Sequence, residues 1–301
     1  MGTKVLGIVA DLGVAKALTD GPRPVDDIAR KVGANADSLL RFLRALASDG
    51  VFAEVEPGVF SNTDASRLLS GEGWDDFAHL FGSVWYQAVS DLEAETGEAT
   101  FPRTFGTDFW AWFADHPEER ASFDRAMTEG KERRVERLSR VEWHGGETVV
   151  DVGGGNGSLL MELVRRQPGL RGIVFDLPET NRDEAQLARE GCEFMAGSFF
   201  ERVPPGDAYL LGTVLHDWDD EHAAAILHTI RKGAPPGARV LIFDSLIQPG
   251  NDPQGAKWLD VLMLVIAGGR ERTEAEWREL VEGAGLRIDA IEDGLVQASC
   301  L

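Results

Sequence analysis

His216 closes the apolar run Ala208-Tyr209-Leu210-Leu211-Gly212-Thr213-Val214-Leu215 and is followed by Asp217-Trp218-Asp219-Asp220. A histidine delivered by a strand to the carboxyl edge of a sheet lies on the side where α/β proteins bind ligands, and an ordinary pKa of about 6.5 suits it to take a proton near neutrality. Two carboxylates could support it. Asp244 ends Val240-Leu241-Ile242-Phe243, the next apolar run, and Glu271 lies in Gly268-Gly269-Arg270-Glu271-Arg272-Thr273, ahead of a helical stretch from Glu274 to Ala284. An acid on one imidazole nitrogen fixes the tautomer, leaves the other nitrogen to accept a proton and stabilises the imidazolium that forms. Each has a plainer alternative: Asp244 as a strand-end cap, and Glu271 neutralised at the surface by Arg270 or Arg272. The other histidines, His79, His116, His144, His222 and His228, fall in helical or connecting stretches and read as structural or surface residues.

A second chemistry-bearing stretch is Val149-Val150-Asp151-Val152-Gly153-Gly154-Gly155-Asn156-Gly157-Ser158. A Val-rich buried strand runs into a turn where side chains would collide with an incoming ligand, so glycine takes over, and a helix follows from about Ser158 to Arg166. Gly153, Gly155 and Gly157 stand in G-x-G-x-G register, whereas a dinucleotide loop needs G-x-G-x-x-G. That favours S-adenosylmethionine over NAD. Asp176, at the end of Gly172-Ile173-Val174-Phe175, supports the choice, because a carboxylate one strand on can accept both ribose hydroxyls. The bland alternative is an ordinary strand-to-helix turn, which the placing of Asp176 disfavours.

These residues need a sheet to hold them. Strands are expected over Thr148–Val152, Gly172–Leu177, Cys192–Ala196, Ala208–Leu215, Arg239–Leu246, Leu286–Glu292 and Leu295–Cys300, with helices between most of them. Only Asp293-Gly294 separates the last two, a hairpin signal. The fold this predicts is α/β, a mostly parallel sheet closed by a reversed terminal hairpin. Earlier in the chain, residues 5 to 18 read as an amphipathic helix, followed by two short helices around Gly33 and a hairpin around Pro57-Gly58. Helix, helix and β-wing is the winged-helix order. Between about Trp74 and Arg140 the chain is helical and aromatic, with Phe101, Phe105, Phe109, Trp110, Trp112, Phe113, Phe123 and Met127. Many of these are core, but as a group they suit an apolar pocket for a flat aromatic molecule. The charged run from Glu118 to Arg140 reads as a solvated helix face.

Composition narrows the class. The chain has 301 residues and 43% hydrophobic content, enough for two domains with sizeable cores. Its formal charge of -21 repels nucleic acid phosphates and anionic membranes. Residues 1 to 70 carry eight basic against nine acidic side chains, so the winged helix, with Arg41 and Arg44 on its second helix, has no phosphate-binding charge. A packing or dimerisation role is the stronger expectation, with no nucleic acid partner. No run of about 18 apolar residues is present, Cys192 and Cys300 have no metal or disulfide spacing, and no His/Asp cluster looks like a cation site. A cytoplasmic protein without metal or membrane partner is expected.

Taken together, Asp151 to Gly157, Phe175-Asp176-Leu177-Pro178, Gly197-Ser198-Phe199-Phe200, Leu215 to Asp220 and Gly268 to Thr273 resemble the S-adenosylmethionine-dependent O-methyltransferases of the plant caffeate type and their bacterial relatives in polyketide and antibiotic tailoring. The blocks fall in family order along nearly the whole chain. The resemblance implies a Rossmann-like methyltransferase sheet over residues 141–301 and, over 1–140, a mainly helical winged-helix region that pairs protomers into a homodimer and caps the substrate. It implies His216 as general base flanked by Asp244 and Glu271. Cofactor contacts are implied at Gly153, Asp176, Leu177, Ser198, Phe199 and Trp218, and acceptor contacts at Phe123, Met127, Leu262 and Met263. The implied reaction is in-line transfer of a methyl group to a hydroxyl of an aromatic small molecule, giving S-adenosylhomocysteine. Plant members usually carry an acid where Ser198 stands, a lysine where Gly212 stands and Glu where Asp244 stands, so the adenine and carboxylate contacts are rearranged here. Two rival functions remain open at this point: a relative whose chemistry has changed to hydroxylation or decarboxylation, against which an intact His216 argues, and a winged-helix DNA-binding regulator.

Overall fold

The computed structural model describes the chain except residues 72, 94–96, 181–182 and 293. Two compact units divide it, one formed by Met1–Leu92 with Pro102–Glu129, the other by Glu93–Phe101 with Gly130–Leu301.

In the first unit the helix expected over residues 5 to 18 is two helices, Gly2–Asp11 and Val14–Ala17. Gly13 separates them in the left-handed region, φ 68°, where a residue with a Cβ is disfavoured. Gly7 lets the first helix meet the helix Trp74–Gly82 almost backbone to backbone, since a Cβ at Gly7 would lie 2.8 Å from the Gly82 Cα. The winged-helix elements form as expected: helices Val25–Val32 and Ala36–Ser48, then a hairpin of Phe52–Glu56 with Val59–Asn62, to which Arg23–Pro24 adds a short third strand. Asn35 caps the second helix by accepting the Ser38 amide, and Ile28, Leu39, Leu43, Phe52 and Phe60 are buried together beneath it. Arg41 and Arg44 are paired with Asp37 and Glu54. The run from Glu118 is not only a solvated face: Arg125 makes a bidentate pair with the buried Asp76 at 3.0 and 2.7 Å, and Ala126 is in the core.

The second unit is a seven-stranded sheet. Its strands are β1 (Thr148–Val152), β2 (Arg171–Asp176), β3 (Cys192–Ala196), β4 (Ala208–Gly212), β5 (Arg239–Phe243), β6 (Leu286–Glu292) and β7 (Leu295–Cys300), in the order β6-β7-β5-β4-β1-β2-β3. Only β7 runs against its neighbours, so the reversed hairpin lies at one edge as expected. Its turn includes residue 293, which lies outside the described residues. The helices are α1 (Lys131–Leu138), α2 (Ser158–Arg166), α3 (Glu184–Arg189), α4 (Asp220–Gly233), α5 (Gly255–Ile266) and α6 (Glu274–Gly283). Alternate strand residues feed two cores: Val150, Val152, Tyr209, Leu211, Val240 and Ile242 pack toward α4 and α6, while Val149, Val174, Leu210 and Leu241 pack toward α1, α2 and α3. Each fully buried Val or Leu contributes about 1.5–3 kcal/mol, and the near-continuous apolar strands follow from both faces being covered.

Two strands stop three residues earlier than expected. β4 ends at Gly212 because Thr213 takes φ 57°, a strained conformation for a β-branched residue, and the chain turns into a single 3-10 turn, Leu215–Asp217. β5 ends at Phe243, and Leu246–Ile247 pairs instead with Arg272–Thr273. Sheet order reverses between β1 and β4, so the carboxyl ends of these strands flank the crevice where open α/β sheets bind ligands.

Candidate active site

The glycine turn after β1 is shaped by the chain itself. Gly153, Gly155 and Gly157 all have positive φ, and added Cβ atoms would lie 2.9 Å from Val214 at Gly153 and 2.6 Å from Leu187 at Gly157. At Gly155, by contrast, a Cβ would meet nothing among the described residues within 4 Å, so the turn is open there. Asp176 holds it: the Gly155 amide donates to Oδ2 at 2.8 Å, while Oδ1 accepts from the Leu177 amide at 2.7 Å and the Thr180 hydroxyl at 2.9 Å. A carboxylate has about four acceptor positions. Asp176 therefore keeps acceptor capacity beyond its internal partners.

Asp151, the penultimate residue of β1, is almost fully buried, and its Oδ2 has no hydrogen-bond partner among the described residues. Burial pushes its carboxyl up to about 7, with the nearby charge of Asp176 adding to the rise and Arg134 opposing it. Further along the edge, Ser198 Oγ accepts the Phe200 amide, and the Phe199 ring lies against the Gly153 position and meets Trp218 edge-on at 6.1 Å. Leu177 is exposed beside Asp176. A buried acid with one oxygen unpartnered among the described residues, a glycine turn with open space and an aromatic pair beside it fit a ligand with a cationic tail and a flat ring.

His216 is buried on the 3-10 turn after β4, and its Nδ1 lies 2.7 Å from Glu271 Oε1. Its Nε2 is 3.5 Å from Asp217 Oδ1. Burial disfavours the imidazolium, but Asp217, the Glu271 hydrogen bond and Asp244 together outweigh it and raise His216 to about 10. Burial raises Asp217 to about 7 and Asp244 to about 6, with His216 opposing both. Asp244 is enclosed, neither carboxylate oxygen has a well-formed hydrogen bond among the described residues, and it acts on His216 through its charge.

Glu271 is not a surface charge, being 1% exposed. Its neighbours are engaged elsewhere: Arg270 pairs with Asp220 and Glu276, and the wholly buried Arg272 pairs with Asp220 and donates to the Leu215 and Trp218 carbonyls. Arg272 thus clamps both ends of the turn that carries His216. The loop comes so close that a Cβ at Gly269 would sit 2.1 Å from the His216 carbonyl oxygen, and the Arg270 amide donates to that oxygen at 2.8 Å.

The structure brings His216, Asp244 and Glu271 together on one edge with Asp151, Gly153, Gly155, Gly157, Asp176, Ser198, Phe199 and Trp218. Of the residues expected at the acceptor, Leu262 and Met263 are buried on α5 in this unit. Trp112, Phe123 and Met127 belong to the other unit, where Trp112 is buried and stacked on His116 at 3.6 Å and Phe123 meets Phe109 and Trp110 edge-on. Asp217, Arg134 and Arg272 are the residues sequence reasoning missed. Asp217 had a signal, its place directly after His216; the two arginines read as ordinary helix and loop charges.

A doubly wound sheet with a glycine turn after β1, an acid after β2 and a paired histidine after β4 defines a class, the Rossmann-like methyltransferases. The chain belongs to the O-methyltransferase family: the family's O-methyltransferase domain matches residues 85–287 and its O-methyltransferase dimerisation domain matches residues 1–71. The phenazine O-methyltransferase PhzM of Lysobacter antibioticus is 36% identical, covering 96% of this chain and 88% of that protein. The mitomycin biosynthesis 6-O-methyltransferase of Streptomyces lavendulae is 33% identical over 95% of this chain and 86% of its own length. Among solved structures, an O-methyltransferase from neocarzinostatin biosynthesis, in complex with S-adenosylmethionine and 2-hydroxy-5-methyl naphthoic acid, superposes with a TM-score of 0.83 at 30% identity, covering all of this chain and 97% of that one. The enzyme is an S-adenosylmethionine-dependent O-methyltransferase. Among the described residues no helix is long and apolar enough to cross a membrane, and no group of three or more His, Cys, Asp or Glu side chains is arranged to hold a metal ion.

Proposed function

We propose that the enzyme methylates a hydroxyl of an aromatic small molecule of natural-product biosynthesis, with His216 as general base. The observation that carries this reading is the buried Glu271–His216 pair at the carboxyl edge of the sheet. Glu271 holds Nδ1 as the protonated nitrogen, so Nε2 is the atom that takes the proton of the acceptor hydroxyl. Asp217, Glu271 and Asp244 raise His216 above the ordinary imidazole range, so once it has taken the proton of a phenol it holds that proton more firmly than a free imidazole would. S-Adenosylmethionine supplies the electrophilic methyl group. The chain's own contribution is to orient the imidazole through Glu271 and Arg272, and to stabilise its positive charge with Asp217 and Asp244.

The aromatic acceptor is supported by relatives named as a phenazine O-methyltransferase and a mitomycin biosynthesis 6-O-methyltransferase, and by the naphthoic acid held in the solved complex. Trp112, Phe123, Met127, Leu262 and Met263 are proposed as its apolar contacts. Asp151, the three glycines, Asp176, Leu177, Ser198, Phe199 and Trp218 are proposed as cofactor contacts. Residues 1–140 are proposed as the pairing and capping region of a cytoplasmic homodimer and residues 141–301 as the catalytic region, a reading that the dimerisation-domain match and the two free buried cysteines support. The test is a phenol and aromatic-acid screen with labelled S-adenosylmethionine, repeated with His216→Ala. The variant is expected to bind S-adenosylhomocysteine normally and to lose ~10²-fold or more of methyl transfer. Near-wild-type transfer by His216→Ala would exclude the base.

A further inference from the structure

Glu271 reaches His216 only if its side chain leaves the backbone in one direction, and that direction is set by the peptide joining it to Arg270. Among the described residues two bonds of unequal quality hold this peptide. Its carbonyl accepts from Arg272 Nη1 at 3.4 Å, a long contact, while its N–H, the Glu271 amide, donates to Asp260 Oδ1 at 2.8 Å. A charged acceptor at the shorter distance makes much the stronger bond.

Asp260 is half-buried on α5, one turn before Met263 and on the same side of the helix. The loop that leads to Glu271 also starts from α5. The Ala267 and Gly268 amides both donate to the Met263 carbonyl at 3.0 Å, and Gly268, at φ 75°, turns the chain off the helix. In between, the Arg270 amide donates to the His216 carbonyl at 2.8 Å. The loop is therefore tied to α5 at both ends and to the base's own turn in its middle.

We infer that Asp260 is a positioning residue for the methyl transfer: by pinning the Glu271 amide to α5, it joins the helix that bears Leu262 and Met263 and the acid that orients the base into one body. Without Asp260 the Glu271 amide is a sheltered donor with no acceptor, which the peptide relieves by turning, and the turn carries Oε1 away from His216 Nδ1. The same link works from the other side. An acceptor that displaces α5 at Met263 displaces Glu271 with it, so the helix selects acceptors through the set of the base as well as through shape.

This role rests on the reading of His216 as the base, and the two are tested apart: methyl transfer by His216→Ala judges the base, and nitrogen-edited NMR of the labelled imidazole in the intact enzyme judges Asp260. His216 is faced by Asp217 on its own turn, Glu271 on the loop and Asp244 after β5, so its titration midpoint falls when Glu271 alone moves off. Asp260→Ala is expected to lower the midpoint by about one unit or more, while Asp260→Asn, which loses the charge and keeps the accepting oxygen, stays within about half a unit of wild type. In a Glu271→Gln background, Asp260→Ala should add less than about half a unit, because its effect passes through Glu271. Asp260→Ser, polar and too short to reach the amide, takes the place of the alanine variant should that one not fold. Equal falls for Asn and Ala, no fall for Ala, or the same fall in both backgrounds would overturn the role of Asp260. Near-wild-type transfer by His216→Ala would instead overturn the base and leave the imidazole result standing.

Discussion

Glu271→Gln keeps the length of the side chain and removes its charge, which isolates what the acid does for His216. Glu271 Oε1 and His216 Nδ1 are 2.7 Å apart in a buried setting. Charge centres about 4 Å apart interact by about 4 kcal/mol at an effective dielectric of about 20, which is about 3 pKa units. His216, held near 10 by Asp217, Glu271 and Asp244 against the effect of burial, should therefore titrate near 7 in the variant. Catalysis changes for a second reason. The amide can turn its NH2 toward Nδ1, which selects the tautomer with a proton on Nε2 and leaves no base facing the acceptor. The rising limb of the pH–rate profile should move down by about 3 units, and the plateau should drop ~10²- to 10⁴-fold. Nitrogen-edited NMR of the labelled imidazole follows the first effect, and methyl transfer from labelled cofactor across pH follows the second. A His216 pKa common to both proteins, or a plateau within threefold of wild type, would refute Glu271 as the residue that orients and charges the base.

Asp151→Asn tests the buried acid of the glycine turn. Its folded pKa of about 7 is above the unfolded value of about 3.9, so the native state resists ionisation. That penalty is absent below the unfolded pKa and grows to about 4 kcal/mol as pH rises through 7, so ligand-free Asp151→Asn should melt higher than wild type at pH 8, with the gap closing toward pH 5. A wild type that melts higher at pH 8 would contradict it. Gly269→Ala places a Cβ 2.1 Å from the His216 carbonyl oxygen and should displace the Glu271 loop, lowering kcat ~10- to 100-fold with little change in S-adenosylhomocysteine affinity; an unaltered kcat would show that the loop position is immaterial. Gly7→Ala forces apart two helices of the first unit and should lower stability by about 1–3 kcal/mol in denaturant titration, whereas an unchanged midpoint would mean the helices can separate freely.

The sheet was legible because buried parallel strands write themselves as short β-branched runs. Thr148–Val152 and Cys192–Ala196 form with the boundaries their sequence suggests. Misread ends have local causes. The apolar run to Leu215 looks like one strand, but Thr213 at φ 57° breaks the ladder three residues early. The amino-terminal helix pattern is continuous in hydrophobicity, and only the left-handed Gly13 divides it. Periodicity measures which face is apolar and carries no information about a single backbone dihedral.

The site divides along the same line. Asp151, Asp176, His216 and Asp244 could be found because topology alone carries every parallel strand end to one edge, so a polar residue closing an apolar run is already placed. Glu271 could be suspected and not placed, because a loop charge beside two arginines is as well explained by the surface. Its burial depends on Arg272, three of whose partners, Asp220 and the Leu215 and Trp218 carbonyls, lie more than fifty residues earlier in the chain. Arg134 is the extreme case. Within Lys131-Glu132-Arg133-Arg134 it is one charge among four, and its interaction with Asp151 and Asp244 exists only once Val135 and Leu138 have been buried. The proposed base and its strand-end acids are therefore encoded locally, while the charges that act on them come from residues whose influence exists only after the helices have packed.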